Sequence, residues 1–264
     1  MHNYRHMPKY YGWGLPIDIS TNGWQIDRLI WVIHWFMAAL FVGWFCFFIF
    51  VIIRFRQRAG LRPFRAVGPE GHKAASRVKH FKLPTYVEVG VAIFEALLLM
   101  AFSFPIWQQA KVDFPPEDKS LHVRVMAEQF AWNIHYPGVD GVFGKADPKL
   151  MSPSNPLGLD PSDPAGKDDI ATINQLHIPV NTPVIAELSS KDVIHSFTLP
   201  VMRVKQDIIP GQRSRIWFEA KDTGEFEIAC AQLCGLGHYR MRGFFTVDTK
   251  EKFADWLKEQ APKP

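Results

Sequence analysis

From Leu29 to Ile53 the chain has no formal charge at all, and nothing in composition excludes a bilayer as readily as charge does. The stretch LIWVIHWFMAALFVGWFCFFIFVII is longer than the roughly 20 residues needed to cross the hydrocarbon core, and it predicts a transmembrane helix. The first 28 residues lack the short apolar core and small-residue cleavage site of a secretory signal, so the first span is expected to act as an uncleaved insertion signal. No lipidation signal is evident. No basic stripe resembling a nucleic-acid patch occurs, and C-x-x-C-H is missing, which excludes a fused c-type haem domain. Cysteine is scarce, with three in 264 residues. Cys46 falls in the first span, where it reads as a small buried apolar residue. That leaves Cys230 and Cys234.

A second apolar run, Tyr86 to Trp107, is long enough to span but carries Glu88 and Glu95. Between the two runs lie nine Lys or Arg and a single acid, Glu70. The positive-inside rule places that loop in the cytoplasm and both termini on the opposite face. The expected organisation is an external tail over 1–28, a first span over 29–53, a basic cytoplasmic loop over 54–85, a second span over 86–107 and an exported domain over 108–264. From Gln108 onward there are 18 basic and 21 acidic residues, so the overall charge of +4 comes from the loop rather than from the exported surface. A mildly acidic domain favours a basic partner.

The exported part reads as short alternating strands: Leu121 to Tyr136, 171–178, 183–190, 193–199, 214–220, 224–230 and 242–248. Turn residues separate them, and this spacing predicts a β-sandwich or barrel. An amphipathic helix closes the chain, with Phe253, Trp256 and Leu257 on one side. The segment from Val139 to Ile170 is rich in Pro, Gly and Asp and reads as a long surface insertion between strands.

CAQLCGLGHYRMRG, residues 230–243, holds the chemistry. Cys230, Cys234, His238 and Met241 follow at intervals of four, four and three. Thiolate and thioether donors select copper over hard, oxygen-seeking cations. A single-copper site needs one thiolate, whereas two suggest that each sulfur bridges two metal ions. Such a core needs a second imidazole, and His195, in SSKDVIHSFTLP, is the best placed. His122, His135 and His177 lie in alternating segments without soft donors nearby and read as structural; His34 lies in the first span. Zinc bound by Cys2His2 is the chemical rival, but it leaves Met241 unexplained. A disulfide between Cys230 and Cys234 is the other alternative.

CAQLCGLGHYRMRG resembles the dinuclear copper A loop of subunit II of haem-copper oxidases, and DVIHSFTLPVMRVKQDIIPGQ resembles the segment of that family that carries the other His ligand. Two spans, the aromatic stretch AEQFAWNIHYPG and a C-terminal β-domain follow the same order. The resemblance implies a two-helix hairpin followed by a cupredoxin-like sandwich. It implies two copper ions: one held by His195 and Met241, the other by His238 and the backbone carbonyl of Gln232, with both thiolates shared. Where the family commonly has Glu, Gln232 supplies the carbonyl but not the charge. Of the accessory magnesium or manganese site at the contact with subunit I, only the acid at Asp207 is retained. The family's Q-W-x-W pattern appears as Gln129-Phe130-Ala131-Trp132, which makes Phe130 and Trp132 candidates for electron transfer. Glu88 corresponds to the Glu at the mouth of a proton pathway. The resemblance gives Glu95 no role, and both acids imply that the second span packs against another membrane subunit. The implied activity is that of cytochrome-c oxidase, with electrons from cytochrome c passed to haem in subunit I, in a bacterial inner membrane with the copper domain in the periplasm. A nitric-oxide reductase subunit with the same copper centre is the closest alternative; a membrane-anchored sandwich with a Cys230–Cys234 disulfide and no redox role is the other.

Overall fold

The computed structural model describes residues 14–56 and 82–262. Most of the basic loop, the first part of the N-terminal tail and His2, His6, His72 and His80 lie outside the described residues. The described chain falls into two compact units, one built from 14–26 with 107–262 and the other from 27–56 with 82–106.

Helix α1 (Gly23–Phe55) contains the first charge-free run. Its 33 residues reach about 50 Å at 1.5 Å each, more than the hydrocarbon thickness. The second apolar run forms α2 (Leu83–Leu98), a single π-helical stretch (Leu99–Ser103) and α3 (Phe104–Lys111) without a break. Pro84 sits in the first turn of α2, where its missing N–H has no intrahelical partner to lose. Both helices are long and apolar enough to cross a membrane, and their large apolar side chains, among them Trp35, Phe41 and Met100, are exposed. Within this unit Phe36 packs on Phe94, with ring centroids 4.5 Å apart.

The other unit is a β-sandwich of two five-stranded sheets. Its strands are β1 (Leu121–Glu128), β2 (Ala131–Tyr136), β3 (Ile170–Ile173), β4 (Gln175–Pro179), β5 (Val184–Ser190), β6 (His195–Leu199), β7 (Val204–Ile208), β8 (Ser214–Phe218), β9 (Gly224–Cys230) and β10 (Arg242–Asp248). One sheet runs β3-β2-β1-β5-β8 and the other β4-β10-β9-β6-β7. Strands β1 and β10 alternate strictly between buried and half-buried positions, which turns Val123, Val125, Ala127, Phe245 and Val247 into the core.

Three details depart from simple alternation. The run Leu121 to Tyr136 folds back at Gln129-Phe130, so β1 and β2 pair antiparallel with Glu128 opposite Ala131. Strand β2 is buried on both faces from Trp132 to Tyr136, because the 139–170 insertion covers its outer side. There the Asp169 carboxylate meets His135 Nε2 at 2.6 Å and accepts the Gly144 N–H at 2.8 Å, while Phe143 packs on the His135 ring at 4.9 Å. Second, 171–178 splits at Asn174, whose φ of 58° falls in the left-handed region that Asn tolerates. Asn174 bonds Trp132 through both its backbone N–H and its side-chain oxygen, and its carbonyl accepts the Phe244 N–H, so the chain crosses there from one sheet to the other. Third, the edge strand β7 was not among the expected strands. Its polar residues Lys205 and Asp207 point outward.

The N-terminal segment also joins the sandwich. Ile19 is in the core at 2% exposure, and its N–H donates to the Val201 carbonyl while its own carbonyl accepts from Lys221. Arg203 clamps the segment: its guanidinium donates to the carbonyls of Pro16 at 2.6 Å, Pro200 at 2.8 Å and Ile17 at 3.3 Å. The closing helix α4 (Lys250–Gln260) is capped by Thr249, whose hydroxyl accepts the Lys252 N–H. Its Phe253 and Trp256 pack on Tyr136, and Trp256 stacks on His177 at 4.2 Å.

Candidate metal centre

Strands β6 and β9 are hydrogen-bonded neighbours, with Phe197 opposite Cys230. That register sets His195, at the start of β6, beside Cys230, at the end of β9. The loop beyond β9 then turns back through a short 3-10 segment, His238–Arg240, before β10 begins at Arg242. Among the described residues, the one group of three or more His, Cys, Asp or Glu side chains placed to hold a metal is His195, Cys230 and Cys234, with donor atoms within 4.8 Å of one another. The remaining expected donors lie against it. His238 Nδ1 is 3.7 Å and Met241 Sδ 3.6 Å from the Cys234 sulfur, and the Gln232 carbonyl oxygen is 3.2 Å from the Cys230 sulfur.

Both cysteines are free thiols, their sulfurs 3.8 Å apart. With thiolate–metal bonds of about 2.3 Å, one ion touches both sulfurs when they are closer than about 4.6 Å, so this pair fits a shared metal. The buried Nδ1 of His195 has no hydrogen-bond partner, which is costly for an imidazole nitrogen unless a ligand takes its lone pair. Its other nitrogen, Nε2, lies 2.8 Å from Asp192 Oδ1. Asp192 also accepts the N–H groups of Gln129 and Val193, both at 2.6 Å, so the carboxylate that orients the ring is itself fixed. The donor set of two thiols, two imidazoles, a thioether and a carbonyl is soft on balance and suits copper.

The electrostatics prepare one thiolate. Burial alone raises the Cys230 thiol, but the His195 imidazole, backbone groups of Ser196 and Gln232, and His238 outweigh it and bring it down to about 6. The Cys234 thiol is pushed up to about 11, first by burial and then by the charge on Cys230. Burial lowers His195, yet its interactions with Cys230 and Asp192 leave it raised. Cys230 is therefore the readier of the two thiols to lose its proton.

Phe130 and Trp132 flank the cluster differently. Trp132 is fully buried and packs edge-on against His195 and Phe197 at 6.3 and 5.5 Å. Phe130 is half-buried beneath the loop, pressed against Gly235 and Gly237. Gln129 Nε2 donates to the Cys234 carbonyl at 2.7 Å and ties the β1–β2 turn to the same loop. Asp192 was not among the residues singled out from sequence, where the only hint was an acid three positions before His195, and Gln129 entered there only as the first residue of the aromatic pattern.

The other candidates are not members of this cluster. Asp207 is exposed on β7, where it accepts the Ser196 hydroxyl at 2.7 Å. Glu88 and Glu95 line a groove of about 620 Å³ with Gly43, Trp44 and Phe47 of α1. The imidazoles read as structural have partners elsewhere: His122 the Glu117 carbonyl, His135 Asp169, His177 Asp248 and His34 the Ile30 carbonyl.

Comparison with known proteins gives a consistent result. The family described as cytochrome c oxidase subunit II, periplasmic domain, matches residues 121–246. An alternative cytochrome c oxidase subunit 2 of Bradyrhizobium diazoefficiens is 34% identical over 249 residues, covering 94% of this chain and 84% of that protein. Cytochrome c oxidase subunit 2 of Cereibacter sphaeroides is 27% identical over 262 residues, covering 96% and 81%. Among solved structures, the periplasmic domain of subunit II of cytochrome oxidase of Bradyrhizobium japonicum is 30% identical, covers 56% of this chain and 96% of that one, and has a TM-score of 0.41.

Proposed function

Because the chain belongs to the cytochrome c oxidase subunit II family, and so to a haem-copper oxidase, we propose that it accepts single electrons from cytochrome c at a dinuclear copper centre. From there they pass to haem in subunit I, where oxygen is reduced to water and protons are translocated. The observation that supports this reading most is the pair of unbonded sulfurs at 3.8 Å beside a buried imidazole nitrogen with no other partner.

His195 and Met241 would hold one copper and His238 with the Gln232 carbonyl the other, both sharing the thiolates of Cys230 and Cys234. When bound, the copper pair supplies a one-electron store whose charge is spread over two ions and two sulfurs. The protein's part is to keep its donors still. His195 and Cys230 sit on paired strands rather than on mobile loops, which holds their separation as the charge changes. Asp192 takes the Nε2 proton of His195 into a hydrogen bond and so leaves the Nδ1 lone pair for metal. Trp132 and Phe197 exclude water from the inner side, which limits solvent reorganisation. Phe130, half-buried beneath the metal loop, and Trp132, buried against His195, would be the aromatic steps by which electrons approach the site. Glu88 is the proposed proton-pathway carboxylate in α2, and Asp207 the retained acid of the accessory-metal position.

Two apolar helices and an extramembrane C-terminal domain fit a membrane-anchored subunit, here in a bacterial inner membrane with the sandwich in the periplasm. The test is oxygen consumption by the intact complex with reduced cytochrome c. Cys230→Ser or Cys234→Ser should abolish both turnover and the dinuclear copper spectrum. Met241→Leu should keep copper and change its potential, and Glu88→Gln should slow turnover without altering the spectrum. Full turnover in either cysteine variant would end this reading.

A further inference from the structure

The two thiols are held in place by different means. Cys230 ends β9; its N–H donates to the Met241 carbonyl at 3.2 Å, and the next N–H, that of Ala231, donates to the Ser196 carbonyl at 3.0 Å. The sheet fixes it. Cys234 lies further on, in a loop whose backbone hydrogen bonds stay within the loop: His238 N–H to Gly235, Arg240 N–H to Gly237 and Met241 N–H to His238. A pair of shared thiolates requires both sulfurs to be fixed, so the second needs an anchor outside the loop.

Gln129, in the β1–β2 turn, supplies that anchor. Its Nε2 donates to the Cys234 carbonyl at 2.7 Å, and its backbone N–H donates to Asp192 Oδ2 at 2.6 Å. The other Asp192 oxygen lies 2.8 Å from His195 Nε2. Unbroken hydrogen bonds therefore run from the imidazole at the start of β6, through Asp192 and Gln129, to a thiol-bearing residue in the loop. The loop is shaped to admit the amide. Gly235 has a φ of +131°, which side chains disfavour, and a Cβ there would lie 2.7 Å from Gln129 Nε2. Because a peptide group is planar, fixing the Cys234 carbonyl fixes the plane that joins Cys234 to Gly235, and with it the Cα that carries the sulfur.

We propose that Gln129 is a positioning residue of the metal centre, its side-chain amide setting where Cys234 presents its sulfur opposite that of Cys230, 3.8 Å away. The donor N–H matters here and the bulk of the side chain does not. Met fills a similar space without donating, and an ionised Glu turns an acceptor toward the carbonyl. The backbone N–H of residue 129 survives both substitutions, so Asp192 and His195 keep their contacts and the effect falls on Cys234. The spectroscopic consequence rests on the proposed copper centre; the hydrogen bond itself does not.

The experiment compares wild type, Gln129→Met and Gln129→Glu as full-length chains in the intact complex, both copper-loaded and from copper-starved cells. In the copper-free form, amide exchange at His238, whose N–H donates to the Gly235 carbonyl, should quicken about fivefold in both variants, the scale of one hydrogen bond. In the loaded form, copper affinity should fall about tenfold in chelator competition. The hyperfine pattern should become unequal between the two nuclei, and the reduction potential should move. Wild-type exchange, affinity and spectrum in Gln129→Met would overturn the proposal, since bulk alone would then suffice. Faster exchange with unchanged affinity and spectrum would overturn it as well, because Gln129 would brace the loop without placing the sulfur. Absence of a dinuclear spectrum from the wild type, with exchange responding as expected, would instead remove the copper reading, and any role of Gln129 toward copper with it.

Discussion

Gly237→Ala tests how the metal loop is held against the sandwich. Gly237 has φ −91° and ψ 6°, a backbone geometry open to other residues, so space rather than conformation accounts for its missing side chain. A Cβ there would lie 2.4 Å from Cδ2 of Phe130 and 2.6 Å from Cγ and Cε2, where ordinary contact is 3.4–4 Å. Overpacking of this kind costs about 1–3 kcal/mol. For a domain of this size that lowers the melting temperature by about 2–12 °C. Calorimetry on the purified copper-loaded protein reads the shift. The copper spectrum should broaden as well, because His238 follows Gly237 directly. Phe130→Ala in the same chain opens the space, so the two substitutions should couple by at least about 1 kcal/mol in a double-mutant cycle. Gly235→Ala should not be rescued in this way, because its φ of +131° disfavours any side chain whatever the room. If Gly237→Ala melts with the parent, or if Phe130→Ala leaves its deficit intact, the glycine does not serve the ring and the packing argument is wrong.

Other consequences follow from single contacts. Asp192→Asn should weaken copper binding about 10- to 100-fold in chelator competition, because the carboxylate that orients His195 is lost; an unchanged affinity would remove Asp192 from the site. His135 is held below the ordinary imidazole value by burial, which outweighs its hydrogen bond to Asp169. The unfolded chain takes up a proton near pH 6.5 that the folded chain resists. Stability from this group is therefore complete above that pH and is lost below it, by at most about 1.4 kcal/mol per pH unit. His135→Gln should flatten that slope in unfolding titrations between pH 7 and about 5, and an unaltered slope would refute the assignment. Arg203→Ala should loosen the N-terminal segment by about 1.5–3 kcal/mol, seen as faster amide exchange at Ile19 and Thr21. Arg203→Gly should cost less, since φ is +56° there. Unchanged exchange in both variants would show that the clamp holds nothing.

The first apolar helix was legible because an uncharged run of that length has few other uses, the second because its length outweighs Glu88 and Glu95, and the sandwich because alternation is a short-range signal. Breaks in alternation were not. Nothing local distinguishes Asn174 as the place where the chain changes sheets, since its role depends on Trp132 and Phe244, both distant in sequence. Ile19 likewise becomes a core residue only through Val201 and Lys221. The buried outer face of β2 could not be read without knowing that the 139–170 insertion folds over it. Of the candidate site, four donors share one short loop, so their spacing announced them, and the β6–β9 pairing brings His195 to the same place. Asp192 remained unnoticed because an isolated acid in a turn has many ordinary explanations.

The central claim is that Cys230 and Cys234 join two copper ions into one redox unit. Metal analysis combined with electron paramagnetic resonance of the purified protein tests it most directly. The account predicts two coppers per chain and a hyperfine pattern from one unpaired electron shared equally by both nuclei. A single zinc, a copper signal split by one nucleus alone, or a Cys230–Cys234 disulfide in the metal-replete protein would contradict it.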